Sequence, residues 1–297
     1  MKNRAQIELL PGGRRLYLHD GPIDVILEAF GHPEEVRSAY RAAAQRFVAI
    51  LDELCEELPR LRQRMTGHDP LLSGHIARRM AGAVAPYASR TFITPMAAVA
   101  GAVAEEVLDA MTRASHLERA YVNDGGDIAL HLEWGQHFTV GMIDRPDKPS
   151  LLGSARIEAW HSVRGIATSG WRGRSFSLGI ADAVTVLADG AAMADAAATI
   201  IANAVDLPGH REIRRIPACE LAPDNDLRDI AVTHGVGELT SVEISTALDS
   251  GQAMASKLAA EGLIRAAALH LRGETRTLGM PLELLKNHEQ EPHWVHA

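Results

Sequence analysis

The stretch that decides the fold begins with Asn-Asp-Gly-Gly-Asp-Ile at residues 123–128 and ends with Ala-Asp-Ala-Ala-Ala-Thr at residues 194–199. Between them lie Gly-Ile-Ala-Thr-Ser-Gly at residues 165–170 and Ala-Asp-Ala-Val-Thr at residues 181–185. These islands combine glycine, hydroxyl or carboxylate groups with small apolar neighbours. We therefore expect one site, assembled from several loops between residues 120 and 205.

The Gly-Gly turn has two interpretations. Gly125 and Gly126 let the backbone approach a ligand closely and point amide groups at it, which suits a phosphate or pyrophosphate. A tight hairpin between two strands uses the same residue types, and the turn taken alone favours the hairpin.

Asp195 and Thr199 are the most informative pair, because their spacing places both on one face of an alanine-rich helix, with Asn203 one turn further. A carboxylate in apolar surroundings is costly unless it is paired, hydrogen-bonded or metal-bound. A carboxylate and a hydroxyl are oxygen donors that suit Mg²⁺. In the alternative, Asp195 answers the helix dipole in the first turn and Thr199 bonds back to a carbonyl. Both interpretations stay open.

Other polar motifs give weaker evidence of a functional site. Thr168 and Ser169 offer hydroxyls, and Gly170 permits close approach, but Ser169 lacks the Gly-x-Ser-x-Gly turn of a serine hydrolase. The acidic run at residues 224–229 lacks the glycine and final Glu of a calcium-binding loop. The sequence His-Asp-Pro at residues 68–70 is interpreted as a turn rather than a metal site.

The bulk composition excludes several classes. A net charge of −8 argues against a nucleic-acid binder. No apolar run reaches about 18 residues, so we expect no membrane span. The first residues lack the apolar core of a secretion signal, and cytoplasmic residence is the expectation. Cys55 and Cys219 form no disulfide framework or zinc site and are expected to be buried or half-buried thiols.

The periodicity predicts interleaved helices and strands. Pro59 should end a helix that begins near Pro33, and Thr94 with Pro95 should start another. Thr240 and Glu243 form a capping box that opens a later helix. Further strands are predicted at residues 7–10, 16–18, 120–122, 138–143, 155–159, 165–170, 182–186 and 263–271, and a further helix at residues 191–205.

The predicted fold class is α/β or α+β, with mixed sheets and packed helices. No Gly-x-Gly-x-x-Gly follows a strand, so a Rossmann fingerprint is absent from the sequence. We expect a single domain over residues 1–280, with its core motifs at residues 120–205. A polar tail at residues 281–297 should be poorly ordered.

The order of the motifs resembles the ApbE superfamily, mainly over residues 120–205. Its members include flavin transferases, which cleave FAD and attach FMN to a Thr or Ser of a partner protein. The resemblance implies a T-fold-like architecture and a flavin nucleotide pocket, with Asp195 and Thr199 as Mg²⁺ ligands beside the pyrophosphate. The residues that it implies for the pocket are Asn123, Gly125, Gly126, Asp127, Thr168, Ser169 and Gly170.

Two segments depart from the transferase pattern. The transferases carry a Lys-Gly-x-x-x-Asp helix, whose place is taken here by Thr-Pro-Met-Ala-Ala-Val-Ala-Gly at residues 94–101. They also carry a His-x-x-Asp-Pro-x-x-Gly loop, whose place is taken by Ser-Phe-Ser-Leu-Gly-Ile-Ala-Asp at residues 175–182. The substitute patterns are similar to a cytoplasmic, uncharacterised (UPF-type) branch of the superfamily.

The leading functional hypothesis is a protein that binds a phosphate-bearing small molecule, such as a flavin nucleotide, with Mg²⁺. It would act as a transferase or hydrolase, with Asp127 or Asp182 as the base. The alternative is a non-catalytic ligand-binding or accessory protein with the same fold. A third hypothesis, an enzyme of small sulfur or amino-acid metabolites, has no residue to support it. Association into a homo-oligomer is left open, and neither nucleic acid nor membrane is an expected partner.

Overall fold

The computed structural model describes residues 4–66, 71–145, 147, 150–279 and 283–284. The helices are α1 (Pro33–Leu61), α2 (His75–Val84), α3 (Val99–Ala114), α4 (Ala191–Ala204), α5 (Ala218–Leu221) and α6 (Ser241–Ala260). The strands are β1 (Gln6–Leu9), β2 (Arg15–Asp20), β3 (Ile23–Phe30), β4 (Arg119–Asp124), β5 (Asp127–Leu132), β6 (His137–Ile143), β7 (Leu151–Glu158), β8 (Gly165–Ser169), β9 (Ala183–Ala188), β10 (Ile213–Pro217), β11 (Ala231–Val236), β12 (Ala266–Leu271), β13 (Glu274–Gly279) and β14 (Glu283–Leu284).

The chain divides into two compact units. The first comprises residues 1–138, 157–166 and 189–194, and the second comprises residues 139–156, 167–188 and 195–297. Strand β8 and helix α4 each begin in the first unit and continue into the second. The sheets and packed helices confirm the α+β class. The prediction of a single domain over residues 1–280 stays a prediction.

In the first unit, strands β1 to β5 form an antiparallel meander, and the first residues of β8 pair with β5. Helix α3 packs on β4, β5 and α1. The buried face of α1 repeats every three or four residues, which is the period of one helix face. It includes Ala39, Ala43, Phe47, Ile50 and Leu54.

Three details of the first unit correct the predicted elements. Strand β3 was not predicted. Helix α1 runs through Pro59 to Leu61, because Pro59 lies in the last turn, where Arg62 N–H still bonds the Leu58 carbonyl at 3.0 Å. The helix predicted at Thr94 starts as a 3₁₀ turn, Pro95–Ala98, whose preceding Thr94 makes no side-chain cap.

In the second unit, the sheet order is β8, β9, β12, β13, and β12 pairs antiparallel with both β9 and β13. Every residue of β9 and of β12 is buried, and α6 packs on β12 and β13. Strands β10 and β11 form a separate antiparallel ribbon between α4 and α6 in the chain. Strand β13 was not predicted, because its mixed polar sequence lacks clear alternation.

The capping box is confirmed at the start of α6. The Thr240 backbone N–H donates to Glu243, His210 donates to the same carboxylate, and Thr240 hydroxyl adds a third bond. These bonds lower the pKa of Glu243 to about 2. A capping box can be predicted because all its parts lie within four residues of one another.

Some predictions concern residues outside those described. The predicted turn at His68-Asp69-Pro70 lies wholly outside them. Of the predicted tail, only Glu283–Leu284 is described, as β14 paired with β7. No helix of the described chain combines the length and apolarity that crossing a membrane requires.

Candidate functional site

The Gly-Gly turn, in the first unit, is a two-residue hairpin between β4 and β5. Asp124 stands opposite Asp127 in the register, and the φ angles of Gly125 and Gly126 are +64° and +114°. Positive φ at both central positions suits the twist of a tight hairpin, and it explains the two glycines. Asn123 Oδ1 accepts the Gly126 N–H at 2.8 Å. The hairpin interpretation is confirmed.

The carboxylates beside this turn differ in burial. Asp124 is buried, and its Oδ1 accepts the Asp24 N–H at 3.3 Å, which ties the hairpin to the neighbouring strand β3. Asp127 is half-buried. The roles predicted for Asn123, Gly125, Gly126 and Asp127 towards a ligand stay predictions.

The N-terminus of α4, also in the first unit, is held by Glu105 of α3. Glu105 Oε1 accepts the Ala192 N–H at 3.1 Å, while Arg79 Nε lies 3.1 Å from Glu105 Oε2. Burial raises the pKa of Glu105. Helix α3 approaches this turn closely at Gly101, where a Cβ would lie 2.3 Å from the Ala191 carbonyl oxygen. Sequence reasoning missed Glu105, which pairs with a helix far along the chain.

The polar face of α4 belongs to the second unit. Asp195 and Thr199 are both half-buried, whereas Ala196, Ala197 and Ala198 between them are fully buried. No acidic residue lies in the first turn of α4. The alternative that placed Asp195 in that turn is therefore wrong, and the carboxyl group that bonds the first turn is that of Glu105.

Asn203, the next residue on this face, holds the segment that stands in place of the family's His-containing loop. Its Oδ1 accepts the Leu178 N–H at 2.8 Å and the Ser177 hydroxyl at 3.2 Å. A Cβ at Gly179 would lie 2.0 Å from the Ala202 carbonyl oxygen. The segment is therefore packed directly against the C-terminal end of α4.

The β10–β11 ribbon fastens the same segment from another direction. Arg215 donates to the Leu178 carbonyl from Nε at 3.3 Å and from a terminal nitrogen at 3.2 Å. Thr233 N–H donates to the Ser177 carbonyl at 2.9 Å. Sequence reasoning did not find these contacts, because the partners are far apart in the chain and arginine at a strand position has many uses.

The Thr-Ser-Gly motif at the end of β8 mainly contacts other residues of the second unit. Thr168 Oγ1 lies 2.9 Å from Thr185 Oγ1 of β9, and Ser169 is buried. A Cβ at Gly170 would lie 2.6 Å from the Asp182 carbonyl oxygen. The structure thus brings Gly170 together with Asp182, and the close approach that needs glycine is between two backbone segments.

Asp182 is buried and surrounded by donors. Arg172 Nε donates to its Oδ1 at 2.6 Å, the Trp171 indole donates to Oδ1 at 3.3 Å, and the Arg272 N–H donates to Oδ2 at 2.7 Å. Both carboxylate oxygens are therefore engaged by donors of the protein itself. The prediction that Asp182 acts as a base stays a prediction, and these contacts favour a positioning role.

His270 is the titratable neighbour of Asp182 in β12. It is buried, its Nδ1 lies 2.9 Å from Thr275 Oγ1, and its carbonyl accepts the Asp182 N–H at 2.9 Å. Burial lowers the pKa of His270, and the negative charges of Asp182 and Asp144 oppose that shift without overcoming it. The neutral imidazole is therefore the favoured form.

The prediction that Asp195 and Thr199 hold Mg²⁺ stays a prediction, and their chemistry suits an ion that retains water and phosphate ligands. Asp195 supplies a carboxylate and Thr199 a hydroxyl, one helical turn apart. In the ranges that the structure describes, no three His, Cys, Asp or Glu side chains gather closely enough to hold a metal by themselves. Of the two thiols, Cys219 is half-buried as predicted, but Cys55 is exposed, which corrects its prediction.

The sequence of the chain matches a family model described as AbpE bacteria over residues 7–277. The chain therefore belongs to this family. Its relatives include UPF0280 proteins of archaea, so the chain lies in the UPF-type branch of the ApbE-like superfamily. The resemblance inferred from the motifs is confirmed.

Three relatives show the extent of the similarity. A UPF0280 protein of Methanopyrus kandleri is 40% identical over 43% of this chain and 48% of its own length. One of Archaeoglobus fulgidus is 30% identical over 59% of this chain and 71% of its own length. One of Methanosarcina acetivorans is 38% identical over 39% of this chain and 44% of its own length. The chain thus spans about half the length of two of these relatives.

Among solved structures, the apo form of the flavinyl transferase ApbE of Pseudomonas stutzeri is similar over 92% of this chain and 93% of its own, with 12% identity and a TM-score of 0.44. A flavin transferase ApbE of Vibrio cholerae, solved as a histidine-to-glycine mutant, is similar over 89% of this chain and 96% of its own, with 10% identity and a TM-score of 0.37.

Proposed function

We propose that this protein binds a phosphate-bearing small molecule together with Mg²⁺ at the polar face of α4, as an enzyme of phosphoryl or nucleotidyl transfer or hydrolysis in the cytoplasm. The observation that carries the proposal is the position of Asp195 and Thr199. Both are half-buried, one turn apart, on a helix whose adjoining residues are buried alanines. Oxygen donors in such surroundings serve a ligand better than they serve packing.

The predicted site residues have distinct roles in the proposal. Asp195 and Thr199 bind the ion, which supplies charge neutralisation at the phosphate oxygens when bound. Thr168, held by Thr185, presents a half-buried hydroxyl at the end of β8. Asn203 keeps the polar face of α4 against residues 177–178, and so orients its side chains.

A flavin nucleotide is the first ligand to test, because the related ApbE proteins are named as flavin transferases. FMN transfer to a protein is a weaker candidate than hydrolysis. Residues 175–182 carry no counterpart of the histidine in the transferase motif, and residues 94–101 carry neither its lysine nor its aspartate.

The test is isothermal titration of the purified protein with FAD, FMN and ATP, with and without Mg²⁺. We expect at least one of them to bind only when Mg²⁺ is present. Asp195→Asn should weaken that binding at least about 10-fold, as loss of metal-site groups generally does. Asp249→Asn, which removes an exposed carboxylate from α6, is the matched control and should bind normally. Binding that needs no Mg²⁺ and is unchanged in Asp195→Asn would overturn the proposal.

The second candidate is a non-catalytic protein that binds the same ligand. It is favoured by Asp182, whose two oxygens are occupied by Arg172, Trp171 and Arg272 instead of being open to a substrate. Chromatography of the ligand after prolonged incubation separates the two candidates. Release of FMN, AMP or phosphate that is lost in Asp195→Asn supports the enzyme, and binding without any product supports the second candidate.

A further inference from the structure

Strand β1 presents an open apolar edge in the first unit. It pairs with β2 on one side, and no other strand in the described residues pairs with it. All of its residues are exposed, including Ile7 at 42% and Leu9 at 51%. Open strand edges template pairing with another chain unless charge, proline or a cover protects them.

The face on which these side chains lie is the core face of the sheet. Ile7 stands opposite Leu18 and Leu9 opposite Leu16, and both leucines of β2 are buried. Directly opposed residues point to the same side of a sheet. Ile7 and Leu9 therefore continue the buried layer of the first unit to an edge at which it lacks cover.

The strand is held in place before any partner arrives. Arg4, just before β1, donates from Nε to buried Asp20 at 2.5 Å and from a terminal nitrogen to Asp52 at 2.9 Å. At the other end, the Leu10 N–H donates to the Arg15 carbonyl at 2.9 Å. A fixed strand loses less conformational entropy on pairing than a mobile one does.

We propose that two copies of this chain associate by antiparallel pairing of their β1 strands about a two-fold axis at Ile7. The two Ile7 side chains then face each other across the axis. This arrangement keeps the two core faces on one side of the joined sheet, so the apolar layer runs from one copy into the other. The inference does not depend on the proposed ligand or reaction.

Apolar pairing and charge together favour this register over its neighbours. With the axis at Ile7, Glu8 stands opposite Gln6 of the second copy, and Leu9 stands opposite Ala5 of the second copy. With the axis at Glu8, two carboxylates would stand directly opposite one another, which destabilises strand pairs. With the axis at Gln6, Glu8 would stand opposite Arg4 of the second copy, but Arg4 already bonds two carboxylates of its own copy, and Leu9 would lose its apolar partner. The axis at Ile7 is thus the register in which the apolar residues of the two edges pair with one another.

The experiment is sedimentation velocity or light scattering of the full chain over a series of concentrations. The expected mass is about twice the chain mass of 32.0 kDa. Ile7→Lys places two ammonium groups across the axis and should weaken the dimer at least about 100-fold, since opposed like charges cost several kcal/mol. Val242→Lys changes a residue of α6 that is 75% exposed, and it should leave the dimer unchanged.

Two further variants test the register and guard against misfolding. Gln6→Lys places a new ammonium opposite Glu8 of the second copy twice per dimer, and it should tighten the dimer about threefold or more. Ile7→Thr keeps a β-branched residue and should weaken the dimer less than Ile7→Lys does, with an unchanged circular dichroism spectrum. A chain that is monomeric up to about 100 µM, or a dimer that Ile7→Lys leaves intact, overturns the proposal. A dimer weakened by Gln6→Lys overturns the register.

Discussion

The segment at residues 170–182 and the polar face of α4 belong to the same unit and carry the same kinds of side chain. In the segment, Asp182 and Ser177 are buried, and their polar atoms bond to named partners within the unit. On the helix, Asp195 and Thr199 are half-buried beside alanines. We therefore expect the two carboxylates to serve different purposes, because a buried carboxylate must be satisfied by the protein, whereas a half-exposed one can also reach a ligand.

The largest effect on the stability of the fold should come from Asp182→Ala. The substitution leaves Arg172, whose side chain is 16% exposed, without its short partner. It also removes an acceptor from the Arg272 N–H. Loss of one member of a buried pair costs about 3–5 kcal/mol, so the free energy of unfolding in urea should fall by that amount.

The control for Asp182 is Asp249→Ala, which removes an exposed carboxylate of α6 that lies 3.7 Å from Arg276 Nε. Exposed pairs contribute about 0–1 kcal/mol, so this variant should unfold nearly as the wild type does. Equal behaviour of the two variants would contradict the structural role of Asp182 and return it to the candidates for the base.

Gly179→Ala should have the next largest effect. The new Cβ would lie 2.0 Å from the backbone oxygen of Ala202, which cannot move without displacing α4. Overpacking of this kind costs about 1–3 kcal/mol, measurable by urea denaturation. Gly82→Ala in α2 meets nothing within 4 Å and should be neutral or stabilising, because alanine favours a helix over glycine. A Gly179→Ala protein as stable as Gly82→Ala would show that the segment does not pack on α4 as described.

The predictability of these features follows the distance between partners along the chain. The helix α4, the hairpin at Gly125 and Gly126 and the capping box at Thr240 were predicted, since period, turn chemistry and capping are local. The partners of Asp182 were not, because Arg272 lies 90 positions away and donates through its backbone, which has no sequence signature. The motif order identified the residues of the candidate site, but not which of them are occupied by the protein itself.

The buried histidine His270 should make the stability of the fold depend on pH. Because burial lowers the pKa of His270, the unfolded chain takes up a proton near pH 6.5 while the folded imidazole stays neutral. The free energy of unfolding should therefore fall as pH drops below about 6.5. Asp182 and Asp144 oppose the shift and reduce its size.

His270→Gln tests this dependence, because glutamine can still reach Thr275 but does not titrate. Urea denaturation between about pH 8 and pH 5 should give a flatter profile for the variant than for the wild type. Glu243, with a pKa of about 2, loses its contribution at lower pH and should not interfere. Profiles that fall in parallel would assign the pH dependence to another group.

The smallest effect on stability should come from Asp195→Asn, and this small effect is the sharpest test of the comparison. The asparagine keeps the size of the half-buried side chain. It lies beyond the first turn of α4, and an N–H group of that turn is bonded by Glu105 instead. The free energy of unfolding should change by less than about 1 kcal/mol. Its Mg²⁺-dependent ligand binding should nevertheless be lost. Asp182→Ala also removes one carboxylate, but it is expected to destabilise the fold. A destabilisation by Asp195→Asn as large as that of Asp182→Ala would therefore place both carboxylates among the structural residues.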